Sequence, residues 1–197
     1  MSAAASSTGA LAPSTTPNVS AGTTYFSYGS NMWLDQVARR CPHSEFLGIA
    51  RLPGYRWHIN ARGSANVAPV SATQQPLEDS TSDGVWGLVY RLSPADEAKL
   101  DIREHVPDNF TKEMLPTKYW PGNICKAPFH SATEYIIDLA NPSEKVDMLV
   151  YVSRLGTTDD RPRDEYIVRM NEGINNALKV GVPKEYIDKV IRKFIPE

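Results

Sequence analysis

Two short stretches carry residue types suited to acid–base or anion-binding chemistry. In Tyr25-Phe26-Ser27-Tyr28-Gly29-Ser30-Asn31-Met32, aromatic and β-favouring residues run into a glycine and a small polar pair. Met32-Trp33-Leu34-Asp35-Gln36-Val37 then reads as the start of a helix. Strand, tight turn and helix N-terminus leave backbone N–H groups without intrahelical partners, and the helix dipole adds positive potential there. Such a turn suits a carboxylate or a developing oxyanion. Gly29 permits positive φ and close approach of a ligand, while Ser30 and Asn31 can cap the helix or donate to that ligand. The second stretch is Leu100-Asp101-Ile102-Arg103-Glu104-His105-Val106. It ends a helix, so Glu104 faces the negative end of the dipole, which pushes its pKa upward. Asp101 and Glu97 lie one and two turns earlier on a similar face, and the residues alone read Glu104 as a solvated glutamate at a helix end. Asp101 reads as a surface or capping residue, and His105 as an exposed helix-end histidine.

Other nucleophile and metal patterns are missing. No Gly-x-Ser-x-Gly surrounds Ser30, which argues against serine-triad hydrolysis. His43, His58 and His130 have no nucleophile or metal partner at a workable spacing. Cys41 and Cys125 stand alone, so neither a disulfide framework nor a zinc site is expected and a reducing compartment is the simpler reading.

The elements that must position these stretches follow in order. After the first strand, Trp33 to Arg40 is a short helix whose Arg39-Arg40 end is read as solvated. Phe46–Leu52, Tyr55–Asn60 and Asn66–Val70 read as strands, with Pro69 placing the last at an edge or bulge. Ser71 to Asp83 is a polar loop able to lie over a site. Gly84–Leu92 is apolar at nearly every position, which predicts a strand covered on both faces, with Gly87 marking a bulge or close approach. Ser93 caps a helix that starts at Pro94 and ends at Glu104 and His105 before Pro107. Phe110–Tyr119, Ala132–Leu139 and Val146–Val152 are three further strands, with turns at Pro121-Gly122-Asn123 and Asn141-Pro142. Tyr166, Met170, Ile174 and Leu178 mark a helix over Arg163–Lys179, and a last helix runs from Pro183 to about Phe194.

Short strand-to-strand connections leave little room for parallel crossovers. The expected fold is therefore α+β, a mixed, largely antiparallel sheet curled into a small barrel and flanked by helices.

Length and composition agree with a single domain over 23–197 behind an uncharged, disordered tail over 1–22. The chain has 197 residues, 41% of them hydrophobic and 22% charged, with a formal charge of −2. That charge gives no reason to expect nucleic acid or an anionic membrane as partner. No apolar run approaches the ~18 residues a membrane span needs. A cytoplasmic location is expected because residues 1–22 lack the features of a targeting segment. Monomer and homodimer both stay open.

Tyr28-Gly29-Ser30-Asn31-Met32, then Val85-Trp86-Gly87-Leu88-Val89-Tyr90, then Leu100 to Val106, taken in this order, resemble the γ-glutamylcyclotransferase family. The resemblance runs from about Thr23 to the C-terminus. It implies a compact barrel-like α+β domain that closes a γ-glutamyl group to 5-oxoproline and releases an amine, without metal or cofactor. It implies that Glu104 is the general base and then the acid. Tyr28, Gly29, Ser30, Asn31 and Met32 would form the substrate-binding turn, with Tyr151 and Tyr166 lining the pocket. Members often have Gly where His105 stands, and some carry a pocket tyrosine near Phe110. Those departures and the loop Ser71–Asp83 keep open a family member recruited to a biosynthetic pathway, acting on a γ-glutamyl or glutathione-derived conjugate or catalysing another acyl-transfer or elimination step; a non-catalytic binding module on the same scaffold is a further alternative.

Overall fold

Among the described residues the apolar runs become seven strands, and five of them close on themselves. In this computed structural model, which describes residues 22–70, 84–126 (123–126 in backbone only), 137–141 and 143–197, the strands are β1 (Thr23–Ser27), β2 (Glu45–Leu52), β3 (Tyr55–Ile59), β4 (Ala65–Pro69), β5 (Val85–Leu92), β6 (Thr111–Lys126) and β7 (Glu144–Val152). The helices are α1 (Leu34–Arg40), α2 (Pro94–Arg103), α3 (Asp164–Val180) and α4 (Lys184–Lys189). Most of the expected tail, the loop Ser71–Asp83, His130, Pro142 and most of the expected strand Ala132–Leu139 lie outside the described residues.

The barrel runs β1-β5-β2-β6-β7 and closes where β7 meets β1. Every pair is antiparallel except that seam, a parallel contact of Tyr25 with Leu149. The expected mixed, largely antiparallel barrel is what forms. β3 and β4 pair only with each other, so Pro69 sits at an end of a two-stranded sheet, where a missing N–H costs little.

β5 lies between β1 and β2 and is buried at every position but Arg91. Gly87 is required there. A Cβ at this position would stand 2.2 Å from the Ser27 carbonyl oxygen. β1 can therefore cross β5 only over a residue without a side chain.

Three expectations need correcting. Pro121-Gly122-Asn123 is no chain reversal: β6 runs through it, and the register against β2 shifts between Phe46 and Gly48. Gly48 has φ +151°, and a Cβ on it would lie 2.3 Å from the Trp120 carbonyl oxygen, so the turn-forming residues absorb a bulge in a long strand. Ile137 to Leu139 is not strand. The final helix is broken, with α4 ending at Lys189 and a 3-10 turn, Ile191–Lys193, following Val190.

α3 carries the stripe its sequence predicts. Tyr166, Met170 and Ile174 are buried, joined by Gly173, Ala177 and Val180. Complete burial of Met170 and Ile174 contributes about 1.5–3 kcal/mol each. Gly173 lets the helix approach the turn after β1, where its Cβ would meet the Met32 Cβ at 3.2 Å.

α2 begins as expected, with the Ser93 hydroxyl accepting from the Asp96 amide at 3.1 Å. Its other end is closed by two backbone bonds: Val106 N–H to the Asp101 carbonyl (3.0 Å) and His105 N–H to the Ile102 carbonyl (3.2 Å). His105 adopts φ +52° to make them. This conformation costs a residue with a Cβ about 1 kcal/mol and glycine almost nothing. His105→Gly is accordingly expected to stabilise the protein by about 1 kcal/mol, measured by urea denaturation. A loss of stability would mean that the imidazole makes a contact worth more than the strain.

Candidate active site

The end of β1, the end of β7, the C-terminus of α2 and the first turn of α3 converge on a cavity of about 510 Å³. Tyr28, Gly29, Ser30, Asn31, Tyr151, Tyr166 and Glu104 all line it. Met32 does not. It is fully buried beneath the turn, against α3 at Gly173.

The turn after β1 is a 3-10 segment, Ser30–Met32, and α1 starts only at Leu34. Gly29 has φ −120°, so the expected positive φ is not what glycine supplies here. It supplies room. A Cβ at Gly29 would lie 2.9 Å from the Tyr166 hydroxyl and 3.2 Å from the Ala65 Cβ. Ser30 and Asn31 place no side-chain cap on the helix. The Leu34 amide is capped instead by Asn176 Oδ1 of α3, at 2.9 Å.

The Tyr166 hydroxyl accepts from two amides, Ser30 at 3.3 Å and Ala65 at 3.1 Å. With both lone pairs engaged, its own proton is left for the cavity. Burial pushes this phenol above its ordinary pKa, so the proton is present at neutral pH. The amides of Gly29 and Asn31 make no hydrogen bond among the described residues.

Tyr28 shapes the site rather than facing a ligand with its hydroxyl, which donates to the Tyr151 carbonyl at 2.5 Å. Its own carbonyl accepts from Trp57 Nε1 at 2.9 Å. The Tyr151 hydroxyl donates to Asp101 Oδ1 at 2.6 Å, and Lys112 Nζ donates to Oδ2 of the same carboxylate at 3.0 Å. Asp101 is therefore not a capping residue. It fixes the Tyr151 hydroxyl with its oxygen available to accept.

Glu104 follows the last helical residue of α2 and is partly buried. Its pKa is raised, first by burial, while the Arg40, Arg169 and Arg103 guanidiniums pull in the opposite direction without cancelling it. Burial, rather than the dipole invoked from sequence, is the main cause. Arg40 also departs from the solvated helix end expected of it: its Nη1 donates to Asn31 Oδ1 at 2.8 Å, and it lines the cavity. Arg39 does face outward, over the Trp33 ring at 4.7 Å.

His105 and Phe110 both line the cavity, Phe110 with no hydroxyl to offer. His43 and His58 are elsewhere, His43 beside Asp96 at 3.6 Å and His58 buried against Asn66 at 3.2 Å. Among the described residues no group of three or more His, Cys, Asp or Glu is placed to hold a metal ion. Nor is any helix there long and apolar enough to cross a membrane.

The family model for gamma-glutamyl cyclotransferase, AIG2-like, matches residues 25–162, most of the chain. The chain belongs to this family. It is similar to gamma-glutamylcyclotransferase from Bos taurus, 25% identical over 175 residues covering 82% of this chain and 90% of the bovine one. It is likewise 25% identical to gamma-glutamylcyclotransferase from Homo sapiens over 170 residues, 80% of this chain and 88% of the human one. A solved structure titled gamma-glutamyl cyclotransferase superposes with a TM-score of 0.59 at 19% identity, covering 85% of each chain, which shows the shared fold.

Sequence reading missed Asn176 and gave Arg40 and Asp101 other roles. Arg40 ends the helix that follows the first motif and Asp101 stands inside the third, but their partners come from other elements.

Proposed function

We propose that this chain catalyses closure of a γ-glutamyl group onto itself. The α-amine attacks the side-chain carbonyl carbon, a tetrahedral oxyanion forms, and its collapse expels the amine that was joined there. The products are 5-oxoproline and the free amine, and no water is consumed. Nucleophile and electrophile belong to one molecule, so the protein has to orient them and handle charge and protons.

The Glu104 carboxylate takes the proton released as the α-ammonium becomes a nucleophile, and returns it to the departing nitrogen. The Gly29 and Asn31 amides and the Tyr166 proton are donors for the oxyanion. The observation that carries this reading is the placing of one carboxyl group, with burial-raised proton affinity, in the same cavity as that donor turn. Mass-spectrometric detection of 5-oxoproline tests it over γ-glutamyl amino acids, γ-glutamyl amines, glutathione and its S-conjugates. Tight binding of these ligands by folded protein, without product, would favour a binding module instead.

The base must be ionised to act, so kcat/KM should fall as pH drops through the Glu104 pKa, above the ordinary glutamate range. The Arg40 charge favours the carboxylate form, so Arg40→Gln is expected to move this acid limb to higher pH. A limb that stays in place would show that another group sets it.

A further inference from the structure

Five guanidiniums line the cavity and, among the described residues, one carboxylate, that of Glu104. They form two tiers. Arg40 and Arg169 are partly buried, with Arg40 held by Asn31 and Arg169 paired to Glu165 at 3.1 Å. Arg62, Arg103 and Arg163 are exposed at the rim, one from the β3–β4 turn, one from the end of α2 and one from the N-cap of α3.

The rim tier is nearly unneutralised. Arg62 Nη1 donates to the uncharged Asn109 Oδ1. Arg163 Nε reaches Glu165 only at 4.0 Å. Arg103 has neither a hydrogen bond nor an ion pair among the described residues. The rim is also braced, since the Arg163 amide donates to the Gly63 carbonyl at 3.2 Å and so ties the β3–β4 turn to α3. Like charges gathered this way repel one another and weaken the fold, whereas a concave site of one sign concentrates ligands of the other.

Resting on the cyclotransferase reading, we propose that Arg62, Arg103 and Arg163 form a subsite for the leaving half of the substrate, and that this half carries at least two negative charges. The deep arginines and Glu104 face the γ-glutamyl head, whose own ammonium and carboxylate balance each other. The rim cations then remain for the amine being expelled. An acidic amino acid or acidic peptide joined through its nitrogen presents two or more carboxylates there, which planar guanidinium groups can grip in pairs.

Isosteric substrates separate this from the reaction itself. γ-Glutamyl-glutamate and γ-glutamyl-glutamine differ by one charge at constant shape. The wild-type kcat/KM is expected to favour the glutamate compound by about tenfold, with the ratio shrinking as salt is added. In Arg62→Gln/Arg163→Gln, shown folded by its thermal transition, the ratio should approach one. Equal turnover of the two compounds by wild type, or a preference for glutamine, would overturn the subsite and leave the cyclotransferase reading standing. If neither compound yields 5-oxoproline, calorimetric titration decides. Tighter binding of γ-glutamyl-glutamate would keep the subsite while the reaction fails, and equal affinity would end both.

Discussion

Glu104→Gln is expected to lower 5-oxoproline release by about 10³-fold while leaving the protein folded. Glutamine keeps the length and shape of the side chain but can neither take the ammonium proton nor return it, and positioned acid–base catalysis contributes about 10²–10⁴. The same change should not cost stability. The folded state raises the Glu104 pKa, so it holds that proton more tightly than the unfolded chain does. Ionisation therefore removes stability as pH rises from the ordinary glutamate value through the folded one, and an uncharged glutamine avoids that loss. Thermal transitions of the two proteins should coincide in acid, with the variant equal or higher at neutral pH. Near wild-type product formation by a folded Glu104→Gln protein would remove Glu104 from the mechanism.

Gly87→Ala is expected to cost about 3 kcal/mol of stability, the upper end for overpacking. The added Cβ would meet the Ser27 carbonyl oxygen at 2.2 Å and the Phe26 ring at 2.9 Å. The oxygen belongs to the backbone of β1, locked on its other side by the seam with β7, so it cannot swing away. A fall in melting temperature of about 10 °C should follow, measured by calorimetry. The fraction that stays folded should also lose activity, because Ser27 leads directly into Tyr28 and the donor turn. An unchanged transition would mean that β1 and β5 separate without penalty.

Much of the fold was legible because local and tertiary preferences agree. β5 reads as a doubly covered strand and is one, and the stripe from Tyr166 to Ile174 does face the core. The Pro121-Gly122-Asn123 segment misled because its residues favour a turn in isolation, while pairing with β2 across Gly48 holds it extended. Glu104 and the Gly29 turn could be named from ordered motifs. What no local pattern could show is which partners complete them. The Arg40 cation looks solvated until Asn31 is brought beside it, and Asp101 looks like surface until Tyr151 arrives from β7. Met32 was assigned to the site through its place in the motif, whereas it is buried in the core where α3 approaches the turn at Gly173.

The barrel seam carries a consequence for truncation and for synthesis. The Tyr28–Tyr151 bond joins positions 123 residues apart, and the Ser30–Tyr166 bond positions 136 apart. The donor turn emerges from the ribosome ahead of α3, yet the hydroxyl that braces it belongs to that helix. No N-terminal fragment that stops short of Tyr166 contains the complete cavity, so the growing chain acquires this site only after the barrel strands have been made.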